Sequence, residues 1–187
     1  MEGVLKNIAK DHLPGYEQAN CVLGFGYIDR EAGLTVEILS CGHFSEDNQY
    51  HFYKPNNQVR THVRIAAVEN IQFSILSEDA VPTKLYEDKL SVLDEYSAGD
   101  DIENTRSMTF LDASRDDYNI DDVLVHLIKP LHKVEACWVR IESLKANKIV
   151  GKLLNEPFQN LGIHKGELLD FHVEKNSNDR YLCCCYL

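Results

Sequence analysis

The sequence predicts an α+β fold in which antiparallel strands dominate and helices are few. Three observations predict it. Alternation of apolar and polar residues at strand period recurs along most of the chain. Turn-forming residues punctuate that alternation at short intervals. Apolar residues at helical spacing occupy only two short stretches. With 187 residues, 44% apolar and 26% charged, the chain has the make-up of one large globular domain or two small ones. Collagen-like, coiled-coil and wholly disordered classes are excluded.

The elements follow in order. Val4, Leu5, Ile8, Ala9 and His12 fall at helical spacing until Pro14 and Gly15 stop the pattern. Residues 21–28 and 34–41 are strand-like and flank the turn-rich Asp29-Arg30-Glu31-Ala32-Gly33, which predicts a hairpin. Residues 49–53 and the alternating Val59, Thr61, Val63 and Ile65 predict two more strands, and residues 71–76 another. After Pro82, Leu85, Tyr86, Lys89, Leu90, Leu93 and Tyr96 share one side of a helix, for which Gly99 is the expected stop. Residues 97–107 read as an exposed loop and residues 108–111 as a short strand. Residues 122–128, 136–144, 149–155, 167–173 and 180–187 predict the closing strands. The expected organisation is a mostly β unit over 1–100 and a barrel-like or sheet unit over 101–187, as separate units or one continuous domain.

Nothing near Met1 has the basic flank and apolar stretch of a signal peptide. The longest uncharged run, about ten residues near 19–28, falls short of the roughly 20 that cross a bilayer. Six cysteines include the consecutive Cys183, Cys184 and Cys185. Neighbours in a strand point to opposite faces, so these read as reduced thiols rather than a disulfide framework. A cytoplasmic protein without membrane attachment is expected. Cys184 stands four from the end, as in a prenylation box, but Tyr186 and the lack of a preceding basic run argue for a closing strand instead.

Charge is unevenly spread. The net charge is −11, and fourteen acids face only Lys84, Lys89, Arg106 and Arg115 between positions 78 and 122. So negative a chain is a poor nucleic-acid binder. An acidic segment either solvates the protein or steers a basic partner toward it. Asp112-Ala113-Ser114-Arg115-Asp116-Asp117 lacks the glycine and closing glutamate of a calcium loop. Gly24-Phe25-Gly26 lacks a third glycine, and no phosphate-binding loop or serine-nucleophile motif occurs. Cys41-Gly42-His43 is the one thiol–imidazole pairing with nucleophile or zinc-ligand chemistry, although its spacing is wrong for a zinc pair and no second pair follows.

The last third carries a resemblance. Glu135-Ala136-Cys137-Trp138-Val139-Arg140-Ile141 leads to Ile149-Val150-Gly151-Lys152-Leu153-Leu154-Asn155-Glu156-Pro157-Phe158 and then to 161–171, with Lys165, Gly166 and Phe171. In this order the segments resemble the YegJ-type bacterial domain of unknown function over roughly 120–175. The resemblance implies a place among immunity proteins of bacterial toxin systems. On physical grounds, Trp138 is expected to anchor the small β core and Gly151 to allow a close strand crossing. Asn155 and Pro157 are expected to shape a corner, and Gly166 to open the last turn.

Together these point to a non-enzymatic protein that binds and inhibits a basic, toxin-like protein, such as a nuclease. It would use Asp100, Asp101, Glu103, Asp116 and Asp117, chosen because their context reads as loop. No cofactor, metal, nucleic acid or membrane enters this expectation. The alternative is a small enzyme or ligand-binding protein working through Cys41 and His43.

Overall fold

A computed structural model describes residues 13–68, 71–77, 80–146 and 148–187. The expected N-terminal helix lies outside them. The chain divides after Ser97 into two compact units. The fold is α+β, with an antiparallel sheet in one unit and a closed five-stranded barrel in the other.

In the first unit, β1 (Cys21–Asp29) and β2 (Gly33–Phe44) form the expected hairpin. Asp29 makes its turn by accepting the Glu31 and Ala32 amides on Oδ1. The other edge of β2 pairs with β3 (Tyr50–Phe52) near its end and β4 (His62–Arg64) near its start. Residues 71–77 hold no strand, contrary to expectation. Phe73 and Ile75 there are exposed, so no packing rewards an extended pairing. The helical stretch after Pro82 is broken into a 3-10 turn Thr83–Tyr86, α1 (Glu87–Ser91) and a second 3-10 turn Val92–Tyr96. Its inward side is still the expected one, with Tyr86, Lys89 and Leu93 buried. Lys89 gives its buried ammonium to the Ile38 and Val59 carbonyls at 3.2 and 2.9 Å. Tyr86 Oη meets Ser40 Oγ at 3.2 Å.

The second unit opens with α2 (Asp100–Arg106), where a loop was expected. Gly99 precedes this helix rather than ending the previous one. Ile102 and Thr105, one turn apart, are buried, and that packing outweighs the loop-forming composition around them. Residues Thr109–Ser114 form a 3-10 turn, not a strand. Strands β5 (Asp122–Ile128), β6 (Glu135–Lys145), β7 (Lys148–Leu153), β8 (Leu168–Lys175) and β9 (Tyr181–Tyr186) then close a barrel, with β5 and β9 parallel and every other pair antiparallel. Its interior holds Val123, Val125, Leu127, Cys137, Val139, Ile141, Leu153, Phe171, Cys183 and Cys185, with Ile102 and Leu111 in the same core.

Trp138 does not anchor that core. Alternation sends Cys137, Val139 and Ile141 inward, so Trp138 lies on the outer face, 37% exposed. Gly151 does sit at a close crossing. A Cβ there would stand 2.3 Å from Val139 Cγ1 and 2.9 Å from the Arg140 carbonyl. Gly166, at φ +90°, makes the turn before β8. Among the described residues, no helix is long and apolar enough to cross a membrane.

Candidate functional site

The acidic residues singled out from the sequence are not equivalent in space. Asp100, Asp101 and Glu103 lie in the first turns of α2, a helix rather than the loop that motivated their choice. Negative side chains suit this end of a helix electrostatically. Glu103 is engaged by Arg106 at 2.6 Å, and Asp101 accepts the Leu144 amide at 3.3 Å. Asp116 folds its own turn, taking the amides of Tyr118 and Asn119 on Oδ1 at 3.0 and 2.8 Å. Burial alone would raise its carboxyl, and those two amides outweigh it, holding the pKa below the ordinary aspartate value. Asp117 is exposed.

Further acids of the same segment are consumed internally. Arg106 takes Asp121, Arg140 takes Asp122 and Arg115 takes Asp112. Asp100, Asp101 and Asp117 therefore remain as the outward charge of those chosen in the second unit.

Cys41 and His43 lie in very different surroundings. Cys41 is fully buried in the first unit among Leu13, Ile38 and Val63. Burial, reinforced by Cys21, pushes its thiol up to about 11, the wrong direction for a nucleophile or metal ligand. His43 is exposed opposite His51 in the β2–β3 ladder. Among the described residues, no group of three or more His, Cys, Asp or Glu is arranged to hold a metal ion.

A different feature of the second unit was not marked from the sequence. The loop between β5 and β6 and the loop after β7 are laced together by side chains. Lys133 gives its amide to Gln159 Oε1 at 3.1 Å, and Gln159 Nε2 returns a hydrogen bond to the Lys133 carbonyl at 2.8 Å. Glu135 accepts the amides of Phe158 and Gln159 at 2.5 and 3.2 Å. Those hydrogen bonds, the Phe158 amide foremost, hold the Glu135 carboxyl below the ordinary glutamate range. Asn155 shapes the same corner by accepting the Trp138 amide at 2.7 Å, and Lys129 reaches the Leu161 carbonyl at 2.7 Å.

The braced loops present apolar side chains to water. Phe158 is 99% exposed and Leu131 105% exposed, and Val134 is exposed as well. Leu131 also holds a left-handed backbone at φ +69°, a region that costs a leucine roughly 1 kcal/mol. Such positions are invisible to periodicity, because exposure is settled by the loops' three-dimensional course. The one sequence signal is an aromatic directly after Glu156-Pro157, in a turn where burial is not expected.

The chain matches no protein-family model, no curated protein and no solved structure.

Proposed function

We propose that this chain is a non-enzymatic interaction protein that binds a basic protein partner and blocks it, as bacterial immunity proteins block toxins. The observation that carries this reading is Leu131: a large apolar side chain wholly in water, on strained backbone, in a loop braced against the one that presents Phe158. Neither the exposure nor the strain stabilises the monomer. Both become useful if the two side chains enter pockets on a partner, where rigid apolar anchors contribute most of the binding energy. Asp100, Asp101 and Asp117 add long-range attraction, which raises the association rate more than the final affinity. The immunity setting extends to this chain what the YegJ-like resemblance over 120–175 implies, and the enclosing strands and corner belong to that same stretch.

Capture from a lysate of the source organism tests the proposal. Immobilised wild type is expected to retain a basic protein that Phe158→Ser fails to retain. With the purified partner, the triple variant Asp100→Asn/Asp101→Asn/Asp117→Asn is expected to associate more slowly and with weaker salt dependence. Equal retention by wild type and Phe158→Ser would remove the anchor reading, and unchanged association kinetics would remove the steering role.

A further inference from the structure

We infer that the second unit carries a separate small-molecule site, a groove on the outside of the barrel that takes a small aromatic anion: a planar ring bearing one acidic group. The groove encloses about 710 Å³, within the usual span of small-molecule sites. Its floor is the parallel β5–β9 seam, where Leu124, His126 and Leu182 line it. One wall is the 3-10 turn Thr109–Ser114, and the other is the β8–β9 turn with Arg180 and Tyr181.

Two features specify the ligand. Phe110 and Tyr181 are exposed aromatic rings with centroids 5.7 Å apart and planes tilted by 46°, with Lys175 Nζ 5.0 Å over the Tyr181 ring, an aromatic and cationic surface for a flat anionic ring. Arg180 lines the groove, and its guanidinium makes no hydrogen bond or ion pair among the described residues. The carboxylate that lines the groove, Asp179, is already joined to Lys175 at 2.7 Å. A ring on Phe110 and Tyr181 would place its acidic group at the Arg180 guanidinium.

Both walls are fixed in advance. Asn176 Oδ1 accepts the amides of Asn178 and Arg180 at 2.9 and 3.0 Å, which sets the β8–β9 turn. Arg115 follows the 3-10 turn and ties that wall to the carbonyls of Thr105 and Ile120. Little ordering entropy is left to lose on binding.

The test is a titration of the full chain with 2-naphthoate, followed by amide NMR shifts, beside the neutral isostere 2-naphthalenemethanol. The expected result is saturable shifts at residues 109–114, 124–126 and 179–182. Arg180→Gln should weaken binding by about tenfold or more, as loss of a charge-assisted hydrogen bond does, and Arg180→Lys should restore part of it. Phe110→Ala should also weaken binding, and Phe158→Ser should not. Thermal midpoints equal to wild type establish that the variants are folded. Shifts confined to other residues, equal binding of the neutral isostere, affinity unchanged in Arg180→Gln, or no saturable binding would each overturn the site.

Discussion

Arg106 grips Asp121 through two parallel hydrogen bonds, Nε to Oδ1 at 2.9 Å and Nη2 to Oδ2 at 2.8 Å, with the side chains only 10% and 3% exposed. The pair fastens α2 to the residue that precedes β5. Removing Asp121 leaves the mostly buried Arg106 with only the half-exposed Glu103 as an acidic partner among the described residues. Asp121→Ala is therefore expected to lower the unfolding free energy by about 3 kcal/mol. Asp117→Ala, at an exposed position, should stay within about 0.5 kcal/mol of wild type. Urea unfolding of both variants measures this, and equal losses would contradict the division of the acids into fasteners and surface charge.

On the far side of the barrel sequence, His164 donates from Nδ1 to Glu156 Oε1 at 2.7 Å. That hydrogen bond, with the charge of Glu156, raises the His164 pKa above the ordinary histidine value, and the same bond lowers Glu156. The signs follow from linkage. The histidine contribution is complete below the unfolded value of roughly 6.5 and disappears as pH rises through the higher folded value. The glutamate contribution is present above its unfolded value and disappears as pH falls through the lowered folded one. An NMR titration of His164 should give a midpoint that falls in Glu156→Gln, and added salt should narrow the difference because both groups are exposed. A midpoint indifferent to Glu156→Gln would rule the pairing out in solution.

Most strands were legible because alternation is local, whereas the expected strands at 71–76 and 108–111 are absent. The hairpin of β1 and β2 and all five barrel strands fall where the period and turn residues put them. Helix α2 was not legible, since Gly99, Asp100, Asp101 and Asn104 have loop chemistry and only Ile102 and Thr105 are buried from it. Trp138 misled for another reason. Aromatic bulk suggests a core, but the strand's parity, set by Cys137, Val139 and Ile141, decides which face it takes. The acids show the limit of counting along a chain. Nothing local reveals that Arg140, eighteen residues away, stands directly opposite Asp122 in the β5–β6 ladder and binds it at 2.7 Å.

The thiols make a chemical prediction. Cys41, Cys137, Cys183, Cys184 and Cys185 are buried and Cys21 is half-buried. Burial drives the Cys183 thiol, like that of Cys41, up to about 11. At pH 8, a thiol-specific disulfide reagent should react first with Cys21 and reach the other five only after denaturation. Peptide mapping after a brief pulse reads this out. Rapid labelling of Cys41 in the folded protein would revive it as a reactive centre.

Gly151 tests a close crossing in the barrel. An added methyl would collide with Val139 Cγ1 and with the Arg140 carbonyl, and the latter is backbone within the β6–β7 ladder. Gly151→Ala is expected to lose about 1–3 kcal/mol, the usual range for overpacking a filled interior. Gly26→Ala in β1, with nothing within 4 Å of the new Cβ, is the matched control. Comparable denaturation midpoints for the two would show that β6 and β7 yield to the methyl.

Leu131 separates stability from function most sharply. As a structural residue it has nothing to lose: its side chain is wholly exposed, and its φ of +69° suits glycine better than leucine. Leu131→Gly should thus leave the protein as stable as wild type or more so, by up to about 1 kcal/mol from released backbone strain. If the exposed leucine is an anchor for a partner, the same substitution weakens that complex, chiefly by faster dissociation. A binding-neutral Leu131→Gly would mean that neither the strain nor the exposure serves recognition. A stabilised chain that releases its partner faster would tie both to the site beside Phe158.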